Sequence, residues 1–280
     1  MNPSRPNSVR LQRIARAYRE TGALLAAVEL DLFSKISEGA NTEGLLVNSL
    51  GISELNAERI VVACLGLGLI IRNQEFIENA PDVERFLVKS KSTYAGEWMF
   101  FTHPDWDKWG RLTEFLKDTL PPQLDNNTVK NITLSEARRY HGATFSIGRG
   151  AGRQFLRQVD LAHRTKILDI GGGSGAYCIE ACKKYPKLTA TVLDLPEVAI
   201  IAAEFIESFG LSDRISTLAA DFNFDPFPSD IDVAIMASNL PMYGREAIGR
   251  VIAKAHDALL PGGEMHLIGE ALDCSRDGPA

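Results

Sequence analysis

Acids and glycines are the residues of this chain whose spacing implies chemistry. Leu168 to Gly175 reads LDIGGGSG, an acid followed by a glycine turn, set between a predicted strand at 165–170 and a predicted helix at 176–185. Glycines at such a turn let backbone N–H groups approach a ligand closely at a helix N-terminus. That geometry suits a nucleotide or a nucleoside. Gly171, Gly173 and Ala176 also satisfy the dinucleotide spacing G-x-G-x-x-G/A, and Asp194 follows where a ribose-binding acid belongs. Spacing alone leaves both readings open.

Asp169 separates them. It stands two residues before the first glycine, where a carboxylate repels a pyrophosphate and attracts an ammonium. S-adenosylmethionine carries that ammonium and no phosphate, whereas a nicotinamide dinucleotide, the outside alternative, carries the phosphates. Two β-branched runs strengthen the case: 189–193 delivers Asp194 to a strand end, and 215–219 ends near Asp221 and Phe222. In open α/β sheets ligands bind at the carboxyl ends of the strands. Asp194 is therefore expected at the ribose hydroxyls, Asp221 at the adenine amino group with Phe222 beside the ring, and Asp169 with the turn at the methionine end.

LDIGGGSG, VLDLPEV (192–198), AADF (219–222), LLPGGE (259–264) and the Gly269-Glu270 pair together resemble the caffeate-type or polyketide-type O-methyltransferase family. The resemblance runs across nearly the whole chain. It implies an α/β Rossmann-like class I methyltransferase core behind a mostly helical, winged-helix-like dimerisation domain. The expected division is a helical domain at 1–95, connecting helices and an acceptor-pocket wall at 96–160, and the S-adenosylmethionine-binding core at 161–280. The candidate cofactor-binding residues are Asp169, Gly171, Gly173, Asp194, Leu195, Asp221, Phe222 and Ser238. The family core continues past its fifth strand through a helix and two antiparallel strands, so the resemblance implies a C-terminally incomplete core, an unpaired edge strand and poor solubility.

At the family's catalytic segment the sequence departs from the pattern. Asp232 to Tyr243, DVAIMASNLPMY, resembles without a gap the stretch that ends in Leu-His-Asp-Trp. Pro241 stands at the histidine, Tyr243 at the tryptophan, and Ala237 at a common basic position. In the family the histidine deprotonates the acceptor hydroxyl and two acids hold its ring; Glu270 matches the first acid. Proline has no side-chain base and no backbone N–H. General-base help is typically worth about 10²- to 10⁴-fold, and a phenol of pKa about 10 is only about 0.1% ionised at pH 7, an offset of about 4 kcal/mol. Methyl transfer itself needs mainly in-line placement, so an acidic enol, a thiol or a stabilised carbanion needs no histidine. A C-methyltransferase or hydroxylase-like member stays open beside O-methylation. His141, in RRYHGATF, is the replacement candidate, and His141 and Glu270 are the catalytic residues expected.

The elements that must position these groups follow from periodicity. Apolar and small positions at Ile14, Ala17, Tyr18, Thr21, Leu25 and Val28 predict one helix with a single buried stripe. Thr42 and Ser53 read as N-caps of two short helices, and alternation at 69–72 and 75–78 around Asn73-Gln74 reads as a wing. That order raises a DNA-binding regulator. From Asp31 to Tyr94, however, nine acids face six bases, and the would-be recognition helix at 53–65 holds Glu54 and Glu58 against Arg59 alone. Phosphate contacts need several Lys or Arg, so this face is wrong for DNA, and the family resemblance implies a dimer module instead. Six aromatic residues between Trp98 and Phe115 suit either an acceptor-pocket wall or a domain junction.

Composition agrees. A chain of 280 residues, 45% hydrophobic and 24% charged, supports a sizeable core and two domains. A net charge of −6 argues against general nucleic-acid binding. No apolar leader opens the chain, and the longest apolar run, 60–71, is too short to cross a bilayer. Four cysteines without a CxxC pair read as reduced thiols. The expectation is a cytoplasmic homodimer that takes S-adenosylmethionine and a small-molecule acceptor, with no metal, membrane or nucleic-acid partner.

Overall fold

The computed structural model describes residues 7–100, 106–117, 132–239 and 243–269. The chain divides into two compact units, Met1–Trp106 and Asp107–Ala280.

In the first unit, α1 (Val9–Arg16), α2 (Tyr18–Glu29), α3 (Leu32–Ser37), α4 (Glu43–Leu50) and α5 (Glu54–Gly66) precede an antiparallel hairpin, β1 (Ile70–Asn73) and β2 (Phe76–Asn79). Then come α6 (Pro81–Phe86) and α7 (Gly96–Met99). The hydroxyls of Thr42 and Ser53 accept the N–H groups of Leu45 and Asn56, which satisfies donors that a helix start leaves orphaned. The core of the unit closes on Leu32, Phe33, Leu46, Val61, Ile70 and Ile77, all buried. The expected single buried stripe needs correction. The helix breaks at Ala17, α1 buries nothing, and Ile14 and Tyr18 are 60% and 57% exposed, while Leu25 and Val28 are buried. Periodicity encodes an apolar face but not how far the core beneath it extends.

In the second unit, α8 (Trp106–Gly110) and α9 (Leu112–Lys117) lead toward the long α10 (Leu134–Gln158). Thr133 and Glu136 close a reciprocal capping box at its start. A parallel sheet follows: β3 (Lys166–Ile170), β4 (Thr189–Asp194), β5 (Ile215–Ala219), β6 (Ile231–Ala237) and β7 (Leu259–Ile268), ordered β5-β4-β3-β6-β7. Helices α11 (Ala176–Lys184), α12 (Pro196–Ser208) and α13 (Arg245–Ala258) intervene. Strand β7 begins at Leu259, where its Leu-Leu-Pro-Gly-Gly stretch joins the ladder through a register shift between Ile231 and Val233.

Both faces of the sheet are covered, which is why its strands read as apolar runs rather than alternations. Ile167, Val192 and Val233 pack with α10, α11 and α12, whereas Leu168, Ile170 and Ala234 pack with α13. Asp169 shares the register of Ile167 and so enters the face that α11 covers. The chain runs outward from β3 to β5, then returns to β6 on the other side of β3. That reversal opens the crevice where such sheets bind ligands.

Helix α10 meets α11 at small residues. A Cβ added at Gly148 would lie 3.1 Å from Ala176 Cβ, and one at Gly152 would lie 3.3 Å from the Tyr177 Cα. Across the same contact, buried Glu180 receives Arg149 at 2.5 Å and Arg153 at 3.2 Å. We expect Gly152→Leu to cost about 1–3 kcal/mol through forced separation of the helices, read as a lower urea midpoint. Gly150→Leu, whose Cβ meets nothing within 4 Å, should be neutral or stabilising by up to about 1 kcal/mol, since leucine is the better helix former.

Candidate functional site

The turn after β3 is built on left-handed backbone. Gly171, Gly173 and Gly175 have φ of 64°, 56° and 71°, a region costly for residues with a Cβ. Crowding adds to the demand. A Cβ at Gly172 would sit 2.6 Å from the Asp169 Cγ, one at Gly171 would sit 2.5 Å from the Asn239 Nδ2, and one at Gly173 would meet the His141 ring at 2.9 Å. The turn is a thin floor with side chains pressed against it from several sides.

Asp194 fastens that floor to β4. Its Oδ2 accepts the Gly173 N–H and its Oδ1 accepts the Leu195 N–H, both at 2.8 Å. The Gly171 N–H donates to the Leu193 carbonyl at 2.8 Å. Each carboxylate oxygen keeps a second lone pair, enough to accept the two hydroxyls of a ribose diol. Burial raises the Asp194 carboxyl to about 6, against the lowering effect of those two N–H groups. Asp169 is almost fully enclosed. Its Oδ2 accepts the Cys178 thiol at 3.5 Å and its Oδ1 has no hydrogen-bond partner. Burial pushes its carboxyl up to about 7, with the Asp194 charge adding to the rise.

The other sequence candidates divide by position. Leu195 is the residue before α12, with Pro196 at the first turn. Phe222 is buried with its ring beside Gly171, and the Tyr243 ring meets it edge-on at 5.1 Å. Asp221 Oδ1 accepts the Asn223 N–H and Nδ2 at 2.9 and 3.0 Å. Ser238 is exposed at the end of β6 and donates its N–H to the Ile268 carbonyl at 2.7 Å, on the β7 side of the crevice. Glu270 and Pro241 lie outside the described residues.

His141, on α10, lies over Gly173 with Tyr140 edge-on at 4.9 Å. Burial lowers its imidazole to about 4, so it is neutral near pH 7. Burial and the nearby Asp194 charge together raise the Tyr140 hydroxyl. Two neighbours were not among the sequence candidates. Asn239 Nδ2 donates to the carbonyls of Ile170 and Gly171 at 3.3 and 3.0 Å, tying the end of β6 to the turn. Tyr140 stands next to His141 and carries no spacing signal of its own. The sequence signal for Asn239 is an amide two residues past the end of an apolar strand. Among the described residues no group of three or more His, Cys, Asp or Glu is arranged to hold a metal ion.

The arrangement fits a nucleoside with a cationic tail. A floor that any Cβ would fill, a carboxylate able to take a diol and an aromatic ring flanking the turn suit the nucleoside, and the enclosed Asp169 carboxyl beneath the turn suits a cation above it through its field. None of the sequence-derived positions is a concentrated cation site suited to a pyrophosphate.

Residues 135–280 match a family described as O-methyltransferase domain. The chain is 32% identical over 278 residues to 3-hydroxy-5-methyl-1-naphthoate 3-O-methyltransferase of Streptomyces sahachiroi, covering 96% of this chain and 79% of that protein. It is 28% identical over 268 residues to the tetracenomycin polyketide synthesis 8-O-methyl transferase TcmO of Streptomyces glaucescens, covering 94% and 79%. The crystal structure of human N-acetylserotonin methyltransferase in complex with SAM superposes with a TM-score of 0.83 at 24% identity, covering 100% of this chain and 84% of that one. At that identity the likeness concerns the fold.

The raised carboxyls carry a pH signature. A buried acid whose folded value exceeds its unfolded 3.8 holds its proton more tightly when folded, so its contribution to stability declines as pH rises from about 4 to the folded value, near 7 for Asp169. The thermal midpoint of Asp169→Asn, measured against the unsubstituted protein from pH 4 to 8.5, should gain progressively up to about pH 7 and then hold level. A constant difference across that range would contradict the buried, proton-holding carboxyl.

Proposed function

This chain belongs to the O-methyltransferase family, and from that premise we propose that it transfers a methyl group from S-adenosylmethionine to an oxygen of a small-molecule acceptor. The observation that carries the reading is the Asp194 carboxylate fixed by the Gly173 and Leu195 N–H groups at the mouth of the glycine turn. In this reading Asp194 takes the ribose hydroxyls, Phe222 flanks the adenine and Asp221 receives its amino group. Gly171 and Gly173 admit the methionine end. Asp169 acts from beneath the turn, where an ammonium above it would favour the ionised form of its raised carboxyl. Leu195 shapes the ribose edge, and Ser238 borders the crevice on the side of β7. When bound, the cofactor supplies an electrophilic methyl on a sulfonium centre.

What this chain does to the acceptor differs from the family pattern. Pro241 offers no proton acceptor, and Glu270 is without the imidazole it would orient. His141 is placed at the cofactor turn, and an imidazole lowered to about 4 is a weak base for a phenol of pKa about 10. In this reading the residues position the acceptor rather than ionise it. Acceptors that ionise unaided are favoured, which keeps a carbon nucleophile as a second reading, carried by Pro241.

Residues 1–95 are read as the self-association module of a homodimer. The exposed Val9, Leu11, Ile14 and Tyr18 support that assignment. No helix among the described residues is long and apolar enough to cross a membrane. Cys64, Cys178 and Cys182 are unpaired and buried, in keeping with a reducing cytoplasm.

Calorimetric titration tests the cofactor assignment. S-adenosylhomocysteine should bind while NAD(H) does not, and Asp194→Ala should weaken S-adenosylhomocysteine by about 10- to 100-fold, the loss of a hydrogen-bonded charged partner. Binding of NAD(H) alone would overturn the methyltransferase reading. In turnover assays over a series of phenols, initial rates at pH 7 should rise by roughly tenfold per unit fall in acceptor pKa until the phenol is ionised. A flat series would mean that the protein supplies a base.

A further inference from the structure

The turn that follows β5 carries Asp221 and Phe222 but lacks the helix that braces the other crossovers. Between β5 and β6 the chain passes through turns and irregular backbone alone. The turn organises itself in part. The Asp221 N–H donates to Asp225 Oδ2 at 2.7 Å, and the Asp221 carbonyl accepts the N–H groups of Phe224 and Asp225 at 2.9 and 2.8 Å. Those bonds shape the turn, and the Ala220 N–H, donating to the Asp194 carbonyl at 2.9 Å, holds only its start to the sheet.

Lys254, reaching over from α13, attaches the rest of the turn. Its Nζ donates to the carbonyls of Phe222 at 2.5 Å and Asp225 at 2.8 Å, and it lies 4.4 Å from the centroid of the Phe227 ring. One ammonium thus grips the turn at two backbone points and against an aromatic face. Both gripped carbonyls belong to the stretch that sets where the Phe222 ring meets Gly171 and Tyr243. Burial lowers the Lys254 ammonium from its ordinary value, and the charges of Asp221 and Asp225 oppose that effect.

We propose that Lys254 is a positioning residue for base selectivity, holding the 221–227 turn so that the site prefers a 6-aminopurine nucleoside to its 6-oxo counterpart. This rests on the reading that Asp221 and Phe222 take the adenine. An acid facing the ring edge accepts from an exocyclic amino group but repels a carbonyl, and that discrimination holds only while the turn keeps its place. Lysine is suited to the task because its ammonium offers three donors to converging carbonyls.

The test is calorimetric titration of the full chain with S-adenosylhomocysteine and with S-inosylhomocysteine, in which an oxo group replaces the amino group. The unsubstituted protein should prefer the adenosyl ligand by about tenfold or more, the usual penalty for an unmatched hydrogen bond to a charged group. Lys254→Met should shrink that preference to about threefold or less, mainly by weakening the adenosyl ligand, and Lys254→Arg should restore most of it. The thermal midpoint of each variant is measured alongside. An unchanged preference in Lys254→Met overturns the proposal and leaves the adenine assignment standing. Equal weakening of both ligands with a lowered midpoint also overturns it, since that is the behaviour of a merely structural lysine. Equal binding of the two ligands by the unsubstituted protein overturns the adenine assignment, and the proposal with it.

Discussion

The Asp194 carboxylate, gripped by the N–H groups of Gly173 and Leu195, is the constraint around which the second unit is arranged. It joins the end of β4 to a turn that belongs to β3 and also caps the approach to α12. A left-handed glycine turn left to itself would sample many conformations, since glycine loses more freedom on folding than any other residue. The carboxylate narrows that choice to one. The apolar helices on either side of the sheet, the Leu193 carbonyl and the Asn239 amide all reinforce the same geometry from different directions.

This fastening carries an electrostatic cost that explains the ligand. Two carboxyls, Asp169 and Asp194, are held in partly or fully dehydrated places within one small region, and burial raises both toward neutrality. A buried carboxyl without a counter-charge is unfavourable, and Arg149 and Arg153 are engaged by Glu180 on the far part of α10. A ligand that brings positive charge to the turn removes that penalty. The same field discourages anions. The apolar core and the acidic site thus make opposite demands, and the thin glycine floor is where they meet.

Much of this was legible in the sequence, for physical reasons that differ by element. The strands at Asp169, Asp194 and Asp221 were readable because a doubly covered parallel sheet needs continuous apolar runs, and the acids mark where those runs stop. The caps at Thr42 and Ser53 were readable because their signals are local. The burial of α1 was misread, since an apolar stripe at Ile14 and Tyr18 does not say what covers it. The start of β7 at Leu259 is not legible in sequence because Pro261 and two glycines resemble a turn, while a register shift opposite Ile231 and Val233 accommodates them. Asn239 and Lys254 were invisible, because both act on backbone carbonyls that are remote in sequence and their side chains follow no spacing rule. Tyr140 has no sequence signal, because a tyrosine on a helix beside a histidine is as readily a packing residue as a site residue.

The close packing at Gly148 and Gly152 has a consequence for how such proteins are recombined. The helix that presents Tyr140 and His141 to the turn is fitted to Ala176 and Tyr177 with no spare space between backbones. Residues 134–158 therefore cannot be exchanged between relatives as an independent cassette. A chimaera keeps its site in register only if the crossover points carry 134–158 and 176–184 together, so the modular unit of inheritance here is a pair of helices rather than one.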